Sequence, residues 1–142
     1  MATAGYSGTP LPKKLGIKPG AKVLLVEAPE GFERELEPLP EGTRLVRRAQ
    51  AGEFDVIVLF VDRAADLKRR LPGLARHLVP TGGLWVGYPK KSSGVATDLS
   101  FDDVQREGLD LGLVDNKICA IDEVWTGLRF VIRLKDRPKT KT

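Results

Sequence analysis

Eight consecutive residues near the middle of the chain, Phe54-Asp-Val-Ile-Val-Leu-Phe-Val61, carry a single charge and are otherwise apolar. A run this long suits a strand covered on both faces, which places it at the centre of a sheet. A sheet buried on both sides needs helices on both sides, so the neighbouring segments must supply them. Lys22-Val-Leu-Leu-Val-Glu-Ala28 is a second apolar strand, entered from the turn Pro19-Gly20, and Thr43-Arg-Leu-Val-Arg-Arg48 is a third. Phe32 to Leu39 reads as a short acidic helix between them. Asp62 to His77 has Leu67, Leu71, Leu74 and Leu78 at helical spacing, with Pro72 expected to kink or divide it.

Pro80-Thr-Gly-Gly83 reads as a turn into the strand Leu84-Trp-Val-Gly-Tyr88. Lys90 to Gly94 is a polar loop, and Leu99 to Leu109 a helix capped by Ser100 with Asp102 and Asp103 in its first turn. Leu113 to Asp122 and Leu128 to Leu134 lie too close together for a crossover helix between them, so they should pair antiparallel. Before all of these, Thr9 reads as the cap of a helix from Pro10 to Leu15 that ends at Gly16. Alternating β/α units followed by a hairpin predict a three-layer α/β domain, mostly parallel, with an antiparallel strand at one edge. One domain is expected over residues 1–142, with 1–21 as a leading segment and 136–142 as a flexible basic tail.

The inventory of reactive side chains is short. Across 142 residues there is one cysteine, Cys119, and one histidine, His77, so neither a Cys/His zinc site nor a disulfide can be assembled. A lone thiol fits a reducing cytosol, Met1 to Leu15 lacks the apolar centre of a signal peptide, and no apolar run reaches the length of a membrane span. A cytoplasmic location without membrane contact is therefore expected. Asn116 is the only asparagine and Gln50 and Gln105 the only glutamines, a composition that suits a heat-adapted source. The net charge is +4, but Glu27 to Glu41 is acidic and Arg129 to Lys141 basic. No nucleic-acid-binding motif accompanies the basic end, so nucleic acid is not an expected partner.

Phe54 to Val61 followed by a helix, and then Leu78-Val-Pro-Thr-Gly-Gly-Leu-Trp-Val86, resemble the corresponding segments of S-adenosylmethionine-dependent methyltransferases. The resemblance implies a Rossmann-like core. Gly5-Tyr-Ser-Gly-Thr-Pro10, Lys14-Leu-Gly-Ile-Lys18, Tyr88-Pro-Lys-Lys91 and Asp115 to Phe130 also resemble a family of small bacterial domains of unknown function. In the methyltransferases the loop after the first strand reads acidic-x-Gly-x-Gly-x-Gly, because the backbone must turn tightly and approach the cofactor. Here Glu27 matches the acid and Gly31 the second glycine, while Pro29 and Glu33 replace the first and third. The resemblance also calls for a carboxylate at the end of the second strand to accept from ribose hydroxyls, and Arg47 and Arg48 stand there instead. S-adenosylmethionine remains a possible cofactor that these residues disfavour.

Ligands of open α/β sheets sit beyond the carboxyl ends of the parallel strands. On that rule Glu27, Gly31, Arg47 and Asp62 converge at one rim as the inherited cofactor site. Lys90, Lys91, Ser92, Ser93 and Gly94 join them as a loop able to hold a small anion. Ser7 and Thr9, near Lys13 and Lys14, offer a weaker phosphate cradle. His77 is expected to complement the end of a helix, and Cys119 to be a small core residue. Asp115, Lys117, Asp122 and Glu123 carry acid/base groups without a spacing that assigns a reaction. Trp125, like Trp85 and Phe130, is expected to pack in the core; if it is exposed, Trp125 with Arg129 is the expected contact point for a protein partner. The reading that follows is a methyltransferase-like domain without ordinary methyl transfer, serving to bind a small anionic ligand or a protein; the alternative is a methyltransferase with an atypical cofactor loop.

Overall fold

The computed structural model describes residues 9–47 and 52–136. Ser7, Arg48 and the tail from Arg137 lie outside these described residues. Strands β1 (Lys22–Val26), β2 (Arg44–Val46), β3 (Phe54–Phe60), β4 (Leu78–Pro89), β5 (Leu113–Ala120) and β6 (Trp125–Ile132) form a six-stranded sheet of order β2-β1-β3-β4-β6-β5. The β1–β2, β1–β3 and β3–β4 pairs are parallel, and β6 pairs antiparallel with both β4 and β5. The hairpin is present as expected, with one difference. Its second strand inserts beside β4, so the reversed strand is interior and β5 holds the edge.

Side chains alternate across the sheet and build a core on each face. Leu24, Val26, Ile57, Leu59, Leu84 and Val86 point to one side, where Leu67, Leu71 and Leu74 of α3 (Ala64–Ala75) and Val104 of α4 (Phe101–Asp110) cover them. Val23, Leu25, Val56, Val58 and Trp85 point to the other, under Leu11 of α1 (Leu11–Lys14) and Phe32 of α2 (Phe32–Glu35). Trp85 Nε1 donates to the Leu15 carbonyl at 3.0 Å, fastening the end of α1 to the sheet. Gly108 lets α4 approach closely, since a Cβ there would fall 2.0 Å from the Phe130 ring.

Several boundaries differ from the sequence expectation for local reasons. Pro80 to Gly83 is not a turn: β4 runs through it, and the extra residues are absorbed by a register shift against β3 between Phe54 and Val56. Pro72 does not divide α3, which stays helical through it while Leu71 and Leu74 are held in the core. Thr9 does not cap α1; Pro10 occupies that position without a side-chain bond. The acidic helix stops at Glu35 rather than Leu39, with Pro38 following. Ser100 does cap α4 in a reciprocal box with Asp103.

Candidate functional site

The carboxyl ends of β1, β2, β3 and β4 share one rim because these strands run parallel. Glu27 follows β1 directly and adopts φ 58°, a left-handed conformation that non-glycine residues seldom hold. Gly31 then turns the chain at φ 84° into α2. A cleft of about 700 Å³ opens here, lined by Glu27 to Arg34, Glu37 and Arg47.

Two ion pairs engage carboxylates that line this cleft. Arg47 donates through Nε and Nη2 to both carboxylate oxygens of Glu33, a two-point contact joining the end of β2 to α2. The Glu33 hydrogen bond and charge raise the Arg47 pKa above its already high value. Arg70 Nη2 of α3 donates to Glu27 Oε2 at 2.8 Å. Both residues that depart from the methyltransferase pattern at positions 33 and 47 are thus each other's counter-ion, and the matching acid at 27 is engaged by an arginine.

This arrangement does not fit an adenosyl group in the manner the resemblance implies. Ribose hydroxyls donating toward the end of β2 would meet the guanidinium of Arg47, which offers donors only. Glu33 places a carboxylate where the pattern asks for bare backbone, and Pro29 has no N–H to offer.

The other sequence-identified residues fall into separate groups. Asp62 is exposed beyond β3 and lines a smaller cavity of about 270 Å³ with Glu27, Arg70 and Trp125. Its carbonyl accepts from Thr97 Oγ1 at 2.7 Å. Lys91–Ser93 form a 3-10 turn closed by Gly94 at φ 80°. Within it, Ser93 Oγ donates to the Lys90 carbonyl at 2.6 Å and accepts from Val95 N at 3.2 Å, while Ser92 is exposed. Lys90 N donates to the Val124 carbonyl at 2.8 Å, tying the loop to the turn before β6.

Trp125 is half-buried and meets the Phe60 ring edge-on, the centroids 5.1 Å apart. Arg129 lies across Gly83 and donates through Nη1 to Asn116 Oδ1 at 3.3 Å. His77 Nδ1 sits 2.8 Å from the Gly52 carbonyl. Cys119 is half-buried, and burial raises its thiol pKa against the opposing pull of Lys14 and Lys117.

One group was not singled out from the sequence. Glu35, at the end of α2, faces Asp122 of the β5–β6 turn, and burial together with the Asp122 carboxylate raises its pKa from 4.5 to about 7. Asp122 Oδ1 accepts from Val124 N at 2.8 Å and Trp125 N at 2.9 Å, which fixes this carboxylate against the turn opposite Glu35. Phe32 and Leu36, both buried, turn one face of α2 into the core. That pattern was the one available hint of which face Glu35 would present.

Solved structures with this architecture share little sequence with the chain. A SAM-dependent methyltransferase from Aquifex aeolicus superposes with a TM-score of 0.62 at 14% identity, covering 85% of this chain and 87% of that one. The fold is that of the SAM-dependent methyltransferases. A methyltransferase from Pyrococcus furiosus gives 0.53 at 16% identity over 84% of this chain and 78% of its own. Magnesium protoporphyrin IX methyltransferase from Synechocystis PCC 6803, with bound SAH, gives 0.56 at 10% identity over 81% and 75%. No family model matches the chain, and no curated protein matches it in sequence. Among the described residues no helix is long and apolar enough to cross a membrane.

Proposed function

We propose that this domain keeps the methyltransferase fold without ordinary methyl transfer and works in the cytoplasm as a ligand-binding or protein-interaction module. The observation that carries the reading is the Glu33–Arg47 pair, which fills with mutually satisfied charge the place where a ribose and a close backbone approach are required. The pair is exposed, so it acts here by occupying the rim with matched charge rather than by adding much stability. Lys90 to Gly94 and the Trp125–Arg129 face of β6 are the surfaces assigned to an anionic ligand and to a protein, respectively.

Isothermal titration with S-adenosylmethionine and S-adenosylhomocysteine tests the reading: no saturable binding is expected, and micromolar affinity for either would overturn it. The alternative, a methyltransferase with an atypical loop, draws on the cleft of about 700 Å³ at the customary strand ends. It predicts such binding together with incorporation of a labelled methyl group into a cell extract.

A further inference from the structure

A third concavity, of about 810 Å³, opens between α1, the end of α2 and the β5–β6 turn. Leu11, Ile121 and the indole of Trp125 give it an apolar wall. Its charged groups are nearly all of one sign. Glu30, Glu35, Glu37, Asp122 and Glu123 contribute carboxyls from three separate segments of the chain. Lys14 is the opposing cation, and its ammonium already donates to the Ala120 carbonyl at 3.1 Å. A chain of net charge +4 therefore presents here a concave, aromatic-walled and strongly negative surface.

We propose that this groove binds an organic cation, an ammonium or guanidinium group on an apolar body, with Glu35 and Asp122 receiving the charge and Trp125 flanking the body. Charge complementarity decides the class of ligand. An anion would meet repulsion from several elements at once, and a neutral apolar molecule would desolvate carboxylates without pairing them. Among the described residues no three His, Cys, Asp or Glu side chains are grouped to hold a metal ion. Aromatic faces attract organic cations, and a volume of this order holds a drug-sized molecule. The groove borders the β1–β2 cleft and shares Pro29, Glu30 and Glu37 with it, but Glu35, Asp122 and Trp125, which carry the proposal, do not line that cleft.

Near neutral pH the Glu35–Asp122 pair carries a proton for part of the time, since Glu35 titrates at about 7. A bound cation displaces that proton, so binding strengthens as pH rises from about 6 to about 8. The other charged groups facing the pair are Lys14 from α1, Glu30 from the loop after β1, Glu37 after α2 and Glu123 beside Asp122. Lys117 of β5 approaches from behind α1, its Nζ donating to the Lys14 carbonyl at 3.4 Å.

Three near-isosteric probes test the inference by calorimetry on the intact chain: benzamidinium, benzamide and benzoate. Benzamidinium should bind saturably, at least about tenfold more tightly than benzamide, and benzoate should give no binding heat. Glu35→Gln, at a solvent-accessible position where the fold tolerates the change, should weaken benzamidinium by about tenfold and abolish the pH dependence. Glu33→Ala, in the neighbouring cleft, should leave it unchanged, which separates this result from any outcome with S-adenosylmethionine. Equal affinity for benzamidinium and benzamide, no saturable benzamidinium binding, or indifference to Glu35→Gln would each overturn the inference.

Discussion

Glu35 and Asp122 set how a single proton couples to the stability of the fold. Glu35 ionises at about 4.5 in an unfolded chain and at about 7 in the native one, so between these values the native state retains a proton that the unfolded state has released. Stability therefore falls as pH rises through that window, and the penalty is complete above it. Glu35 remains accessible to solvent, so after screening the effect is on the order of 1 kcal/mol. Glu35→Gln should be the more stable protein at pH 8 and should lose this slope; thermal melts of both proteins at pH 5 and pH 8 measure it, and parallel responses would refute the assignment. Sequence reading identified Glu33 and Arg47 singly, as departures from a pattern. That they pair was not legible, because the contact spans a loop and depends on where α2 ends. Glu35 was hidden for a related reason: an acidic run does not reveal which carboxyl will be pressed against another from a distant turn.

Helix α3 begins with a borrowed cap. Arg63 at its cap position makes no side-chain bond, and Asp98 Oδ1, from the loop before α4, accepts instead from Ala64 N at 2.8 Å. Thr97 in the same loop holds the Asp62 carbonyl, so the segment straps the end of β3 to the start of its helix. Asp98→Ala should cost about 1 kcal/mol and speed amide exchange in the first turn of α3 without altering the rest of the sheet. Unchanged exchange at Ala64 would show that the cap is dispensable. At this scale the strongly periodic elements were readable in advance: β1, β3, α4 and β5, each driven by its apolar pattern or its capping box; β6 was expected from Leu128 but begins at Trp125, because Gly127 reads locally as a turn while Trp125 to Gly127 pair with β4 and β5. Pro80 to Gly83 was misread because proline and glycine signal a turn locally, whereas pairing with β3 at Leu78 and again from Gly83 onward holds the intervening residues in an extended, irregular part of β4. The span of α2 was overestimated because an acidic run with one apolar face does not show where its last turn lies.

For the molecule as a whole, burial is concentrated at the middle of the sheet. β3 is buried at every position but Asp55, and β4 from Gly82 to Pro89, whereas β2 has only three residues at a solvent-exposed edge. Amide exchange should accordingly be slowest in β3 and β4 and fastest in β2, and a β2 as protected as β3 would contradict this distribution. The three-layer fold followed from an apolar centre flanked by amphipathic helices, because burial on both faces leaves few architectures to choose from. The candidate sites followed less completely, since they depend on pairings between charges far apart in the chain, which no local pattern records. The interior position of β6 carries a further implication for how the chain assembles. Among the described residues β5 has β6 as its one strand neighbour and otherwise meets α4, where Gln105 Nε2 donates to Asp115, so it joins the sheet only once the next strand slides in beside β4. Closure of the sheet is thus deferred until β6 has been made, although five of the six strands precede it.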